Sequence, residues 1–176
     1  MGRNTFQRKR RLSVLIAVLF LAIAGALTIP LYIAYEDIRL LFWTPGFLPL
    51  LFGLRLLIRN GKNARLMRVF GIGKADIARF EQERRRGARR AGDFVISANW
   101  LFYCSVFHGP ALLPLKEMRC FQKTEGYGRY FSRMRAIEFL LRNGMECDFP
   151  CDSEDLDDLT ALLAARGCPP VDRWPD

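Results

Sequence analysis

Two long runs dominated by apolar residues, Leu12–Tyr35 and Leu40–Ile58, fill the first third of the chain. Beyond Asp93 the apolar positions fall instead into short segments separated by turn residues. The first run holds 24 residues without a charge. A helix needs about 20 apolar residues to cross a hydrocarbon core of ~30 Å, so this run is long enough to span with some tilt. Arg3, Arg8, Lys9, Arg10 and Arg11 precede it like the basic end of a signal peptide. A signal's apolar region is shorter, however, and ends at a small-residue cleavage site. Although Ala22-Ile23-Ala24 mimics such a site, the run continues through Ile33, which favours an anchor.

The second run carries Pro45 and Pro49 in its first half and Arg55 near its end. Proline removes a backbone donor and kinks a helix, whereas an arginine close to the end can reach the headgroups. A second span is expected, with a kinked or re-entrant segment as the alternative. Glu36-Asp37-Ile38-Arg39 joins the runs as a tight connection, and Tyr32, Tyr35 and Trp43 sit where an interfacial aromatic belt belongs. Ala24-Gly25-Ala26 offers a small-residue patch for close helix approach. Five basic residues precede the first run, and Arg59, Lys62, Arg65 and Arg68 follow the second. The positive-inside bias then predicts a transmembrane helical hairpin in the cytoplasmic membrane, multi-pass, with both termini in the cytoplasm.

Residues 59–92 form a basic juxtamembrane connector. Asn63–Phe70 reads as a continuation out of the membrane, broken by Gly71-Ile72-Gly73, and Lys74–Ala91 has helical composition with Asp76 in its first turn. Gly71–Lys74 lacks the full phosphate-loop pattern, and Ala75 stands at the Ser/Thr place. Arg84, Arg85, Arg86, Arg89 and Arg90 make the most charged stretch of the chain. Such a cluster is a solvated helix end, or it binds anionic lipid headgroups at ~1 kcal/mol per basic residue. Nucleic acid is not an expected partner, because neither interleaved aromatics nor a recognition motif accompanies the arginines.

From residue 93 to 176 the pattern is that of a small antiparallel β domain. Phe94–Ile96, Trp100–Cys104, Ala111–Leu115 and Met118–Thr124 are rich in β-branched, aromatic and aliphatic residues. Glu125–Ser132 reads as a loop, and Asn143-Gly144 between Arg135–Arg142 and Met145–Phe149 is a strong hairpin signal. Leu156, Leu159, Leu162 and Leu163 make the apolar stripe of a final helix, capped by Asp152 or Ser153 and stopped at Gly167. About six strands and one covering helix are expected, so the fold class is α+β.

Charge sharpens this division. The net charge of +9 comprises +5 on residues 1–11 and +8 on residues 59–92, against −4 on residues 93–176, with residues 12–58 neutral. Cys147 and Cys151 are four apart, but no second pair among the five cysteines has zinc-ligand spacing and the single histidine, His108, is far along the chain, so no metal or cofactor is expected. His108 sits alone on a Gly-Pro turn. Cys151 opens the last helix, where a thiol can be activated, but Asp152, Glu154 and Asp155 oppose that. Glu138, Glu146 and Asp148 are accounted for by cross-strand pairing with Arg135 or Arg142. The reading is therefore of a protein that is not an enzyme.

Several of these segments recur together. The two apolar runs, the glycine-broken basic helix, Ile-Ser-x-x-Trp-Leu at Ile96–Leu101, Leu113–Leu115 and Pro-Cys-x-Ser-Glu-x-Leu at Pro150–Leu156 resemble a family of small, uncharacterised bacterial two-helix membrane proteins. Their soluble part is pleckstrin-homology-like (PH-like). The resemblance implies an architecture and no active site. The expected function is a membrane-anchored interaction module at the cytoplasmic face, binding a protein partner or anionic lipid. An accessory subunit of a transporter or lipid-modifying enzyme, contacting it through the hairpin, is the alternative. Tyr127, Arg129, Tyr130 and Phe131 are the candidate partner surface, since aromatics and arginine are enriched at interface hot spots.

Overall fold

The computed structural model describes residues 5–35, 46–127, 133–151 and 153–172. The chain divides into two compact units: Met1–Leu66 with Ser105–Pro110, and Met67–Cys104 with Ala111–Asp176.

The first unit is built on helices α1 (Thr5–Tyr35) and α2 (Phe47–Val69, whose last turn belongs to the second unit). The helices pack antiparallel: Gly46 lies against Thr28 and Ala24, Gly53 against Leu21 and Ala17, and Asn60 donates to the Ser13 hydroxyl at 2.8 Å. The Phe20 and Phe52 rings, next in sequence to Leu21 and Gly53, stack with centroids 5.8 Å apart. Gly46, Gly53 and Asn60 recur every seven residues, the repeat that keeps one helix face on a neighbouring helix. A Cβ on Gly53 would stand 3.0 Å from the Ala17 carbonyl oxygen, so the absence of a side chain sets the approach. The expected small-residue patch contributes Ala24 alone to the buried seam; Gly25 is half-buried and Ala26 exposed.

Among the described residues only α1 is long and apolar enough to cross a membrane. The expected second span is not shown. α2 runs without a break through Ile58 into the basic segment, and its described apolar part, Phe47–Ile58 with Arg55 in it, covers about 18 Å at 1.5 Å per residue. Glu36–Arg39, Leu40–Pro45 and Trp43 lie outside the described residues. Ser105–Pro110 docks on α2, where the Asn63 carboxamide donates to the carbonyls of His108 (3.3 Å) and Gly109 (2.8 Å). His108 is thus half-buried, its Nδ1 3.2 Å from the Ser105 hydroxyl, and not simply a free loop residue.

Early in the second unit, Gly71 (φ 63°) ends α2 in a left-handed turn closed by the Ile72 N–H on the Met67 carbonyl. The Asp76 carboxylate accepts from the Gly73 N–H at 3.0 Å and starts helix α3, Lys74–Gly87. The Gly71–Lys74 glycines therefore join two helices. α3 stops at Gly87, earlier than expected, and Arg89–Ala91 forms strand β1. With β2 (Phe94–Ile96), β3 (Trp100–Tyr103) and β4 (Ala111–Pro114) it makes an antiparallel sheet in chain order. A second antiparallel sheet holds β5 (Met118–Tyr127), β6 (Arg133–Leu141) and β7 (Glu146–Pro150), again in order. The expected single sheet of about six strands is thus two sheets, of four and three strands among the described residues.

β3 explains the split. All four of its residues are buried, so both of its faces need a cover. Phe102 meets Phe80 of α3 at 5.1 Å on one face, while Tyr103 on the other meets Phe149 of β7 at 4.8 Å. Phe94, Phe139 and Phe121 extend the aromatic contacts into both sheets. Glu125–Tyr127, expected in a loop, continue β5 opposite Arg133–Arg135, because cross-strand pairing outweighs the weak strand preference of Gly126. The Asn143-Gly144 hairpin is present: Gly144 takes φ 78° and the Leu141 N–H donates to the Met145 carbonyl. α4 (Ser153–Ala164) buries Leu156, Leu159 and Leu163, whereas Leu162 is only half-buried.

Phe149→Ala removes a ring that touches both sheets and is expected to cost about 3–5 kcal/mol in chemical denaturation of the full chain in micelles. Gly53→Val should destabilise by about 1–3 kcal/mol through overpacking, read as a lower midpoint in detergent-induced unfolding.

Candidate functional site

The sequence singles out the arginine cluster, and the fold distributes it over two elements. Arg84, Arg85 and Arg86 occupy the last turn of α3, where cations complement the helix dipole. Arg89 and Arg90 lie on β1, paired with Ile96 and Val95. Gly87 (φ 138°) makes the corner between them. The Arg84 guanidinium is 3.0 Å from the buried Glu81 carboxylate, and Arg90 Nε donates to the Gly92 carbonyl at 2.8 Å. Arg85, Arg86, Arg89 and Arg90 are exposed, and Arg84 is half-buried.

Arg86 borders a cleft of about 360 Å³ lined also by Glu83, Gly87, Ala88, Ala98, Asn99 and Arg166. Glu83 is its organising group. One carboxylate oxygen accepts from the Ser97 hydroxyl (2.8 Å) and the Asn99 N–H (3.1 Å), and the other from the Asn99 carboxamide (2.8 Å). Ser97 in turn accepts from the Trp100 N–H at 3.2 Å. The Ile-Ser-x-x-Trp-Leu segment is therefore a β2–β3 turn clamped to α3 by one carboxylate. Burial is the largest single influence on the Glu83 carboxyl and pushes its pKa up. The Asn99 and Ser97 hydrogen bonds and the Arg166 charge together outweigh it and hold the group below the ordinary value of 4.5.

With Glu83 engaged by three donors, the polar groups left at the cleft mouth are the cations Arg86 and Arg166, both exposed. This arrangement can attract an anion; it provides no paired acid and base. Among the described residues no group of three or more His, Cys, Asp or Glu could hold a metal ion. The thiols of Cys147 and Cys168 are pushed up to about 12, chiefly by burial, so they stay protonated at neutral pH. Cys151 is buried. Glu138 accepts from Gln122 across the ladder at 2.7 Å, and Asp148 faces Glu138 in register; the side chain of Arg135, one of the arginines expected to pair with them, lies outside the described residues. Arg129, Tyr130 and Phe131 lie outside the described residues, as does the side chain of Tyr127. Arg166 was missed in the sequence because it stands alone past the end of α4, about 80 residues from Arg86, and nothing local marks it.

No protein-family model matches the chain, and no curated protein is recognisably similar to it.

A carboxyl depressed on folding contributes stability that is complete above its ordinary value of 4.5 and is lost as pH falls through the depressed value. Glu83→Gln should therefore lower the melting temperature at neutral pH, and the gap to the parent should close on acidification. A gap that persists unchanged to about pH 2 contradicts this assignment of Glu83.

Proposed function

We propose that this chain is a non-catalytic interaction module anchored in the cytoplasmic membrane, whose soluble unit binds a protein partner or anionic lipid. The observation that carries the reading is a shared boundary. Both helices of the antiparallel pair change from apolar to basic at one level, Arg11/Leu12 on α1 and Ile58/Arg59 on α2, bridged there by Asn60 and Ser13. On the apolar side, large side chains point outward on both helices, among them Leu15, Val18, Leu19 and Ile29 of α1 and Leu48, Phe52 and Leu54 of α2. Such surface suits hydrocarbon and not water. In this reading the pair is a membrane hairpin with the basic ends and both termini in the cytoplasm, the orientation that the positive-inside bias favours. The PH-like architecture belongs to the same proposal, supported by two antiparallel meanders and a C-terminal helix.

Exposed Arg85, Arg86 and Arg89, with Arg166 at the cleft, are the lipid-facing candidates on the soluble unit. Tyr127, Arg129, Tyr130 and Phe131 remain the proposed partner surface. The accessory-subunit reading differs in placing the contact on the outer faces of the helices.

Affinity purification of the full chain from native membranes in mild detergent separates these readings. The module predicts a stoichiometric protein partner lost on Y127S/Y130S/F131S, or association with anionic vesicles lost on R85Q/R86Q/R89Q. A partner retained by both variants but lost when the two helices are exchanged for an unrelated hairpin favours the accessory subunit. Release of the chain from membranes by alkaline carbonate overturns the anchor itself.

A further inference from the structure

Phe80, Phe94, Phe102, Phe121, Phe139 and Phe149 of the second unit are at most 2% exposed, whereas Phe107 of the β3–β4 loop is 67% exposed. Among the described residues beyond α2, only Met145 is another exposed large hydrophobic, at 36%. The loop that carries Phe107 is nevertheless firmly held. The buried Asn63 carboxamide of α2 donates to the carbonyls of His108 and Gly109, and the Ser105 hydroxyl lies 3.2 Å from the His108 Nδ1. Gly109 (φ 76°) completes the seat, because a Cβ there would stand 2.9 Å from the Asn60 Oδ1 and 3.3 Å from its Cα. These ties fix the backbone on either side of Phe107 and leave its ring outside.

The seat also sets the level of the loop along α2. Asn60, which meets Ser13 at the boundary between apolar and basic segments, is two positions past Ile58, about 3 Å at the helical rise. Phe107 is two residues from Gly109, a reach of at most about 7 Å. Its backbone therefore stands within about 10 Å of the last apolar position of α2. Side chains of interfacial segments enter the boundary between headgroups and acyl chains over about 5–10 Å, the same range. Leu12, Leu15 and Ile58, on the apolar side of that level, are exposed as well. The described residues of the first unit include no Asp or Glu, so no carboxylate among them opposes a negatively charged lipid surface.

We propose that Ser105–Pro110 is a membrane-contact loop: seated on α2 by Asn63 and Gly109, it inserts the Phe107 ring into the lipid bilayer at the headgroup–acyl boundary. Lipid is the occupant assigned, because the loop is fixed where the helix pair turns from apolar to basic, and a bilayer around the pair reaches that level on every side. The inference rests on the membrane-anchored reading above. It adds a contact made by a segment between two strands, not by a spanning helix, and it needs none of the arginines.

The test uses the full chain with the photocrosslinker p-benzoylphenylalanine in place of Phe107. The chain is reconstituted into vesicles of dioleoylphosphatidylglycerol and dioleoylphosphatidylcholine and irradiated, and the covalent phospholipid adduct is counted by mass spectrometry. Phe107 is exposed, so the larger side chain is accommodated without repacking. The same crosslinker in place of Leu15, an outward residue of α1, supplies the standard for lipid contact. A phospholipid adduct at the Phe107 position is expected within tenfold of the Leu15 yield, and a yield more than tenfold below it overturns the contact. Irradiation in native membranes identifies the occupant. Phospholipid at the Phe107 position there supports the loop as a membrane contact, whereas a protein adduct in its place assigns the surface to a partner and overturns the proposal. The Leu15 standard keeps the two readings apart. Phospholipid at Leu15 without any at Phe107 loses only the loop, whereas phospholipid at neither position loses the anchor as well.

Discussion

Burial of β3 from both sides organises the second unit. A strand of four large residues, Trp100–Tyr103, loses all contact with water only if each face of the sheet is covered. Phe102 recruits α3 through Phe80, and Tyr103 recruits the second sheet through Phe149. The position of α3 follows from that first contact. With Phe80 fixed over β3, Glu83 lies one helical turn farther on and meets the β2–β3 turn, where Ser97 and Asn99 close on its carboxylate. The basic cleft is thus a consequence of aromatic packing beneath it, and its arginines sit on a frame that hydrogen bonding has already made rigid.

In the helical unit the governing quantity is the distance between backbones. Gly46 and Gly53 remove the side chains that would separate α1 from α2, and Ala17 and Ala24 complete the seam from the other side. Close approach increases dispersion contact between the two helices. The outer faces are left to aliphatic and aromatic residues. Among the described residues of the two helices, charge lies at the basic end, apart from Arg55.

Much of this was legible in the sequence where one physical signal dominates. The uncharged run Leu12–Tyr35, the Asn143-Gly144 turn and the leucine stripe of α4 each appear as read, because hydrophobic period and turn chemistry act locally. The less local features were not legible. Arg89 and Arg90 have helix-compatible identities, but pairing with β2 draws them into a strand. Gly126 resembles a loop residue until Met134 faces it. Glu83 reads as one charge among many on a polar helix, and only the fold brings Asn99 and Ser97 to it. The same holds for Arg166, whose relation to Arg86 exists only after α4 has packed.

The spacing of Gly46, Gly53 and Asn60 has a further consequence for alignment. Sliding α2 by seven residues along α1 would keep small residues in the seam, so glycine alone does not choose among registers. Asn60 does, because it reaches Ser13 in only one of them and any other forfeits that hydrogen bond across the seam. A single polar pair at one end therefore acts as a vernier, fixing the vertical offset of two otherwise slippery rods to the nearest heptad.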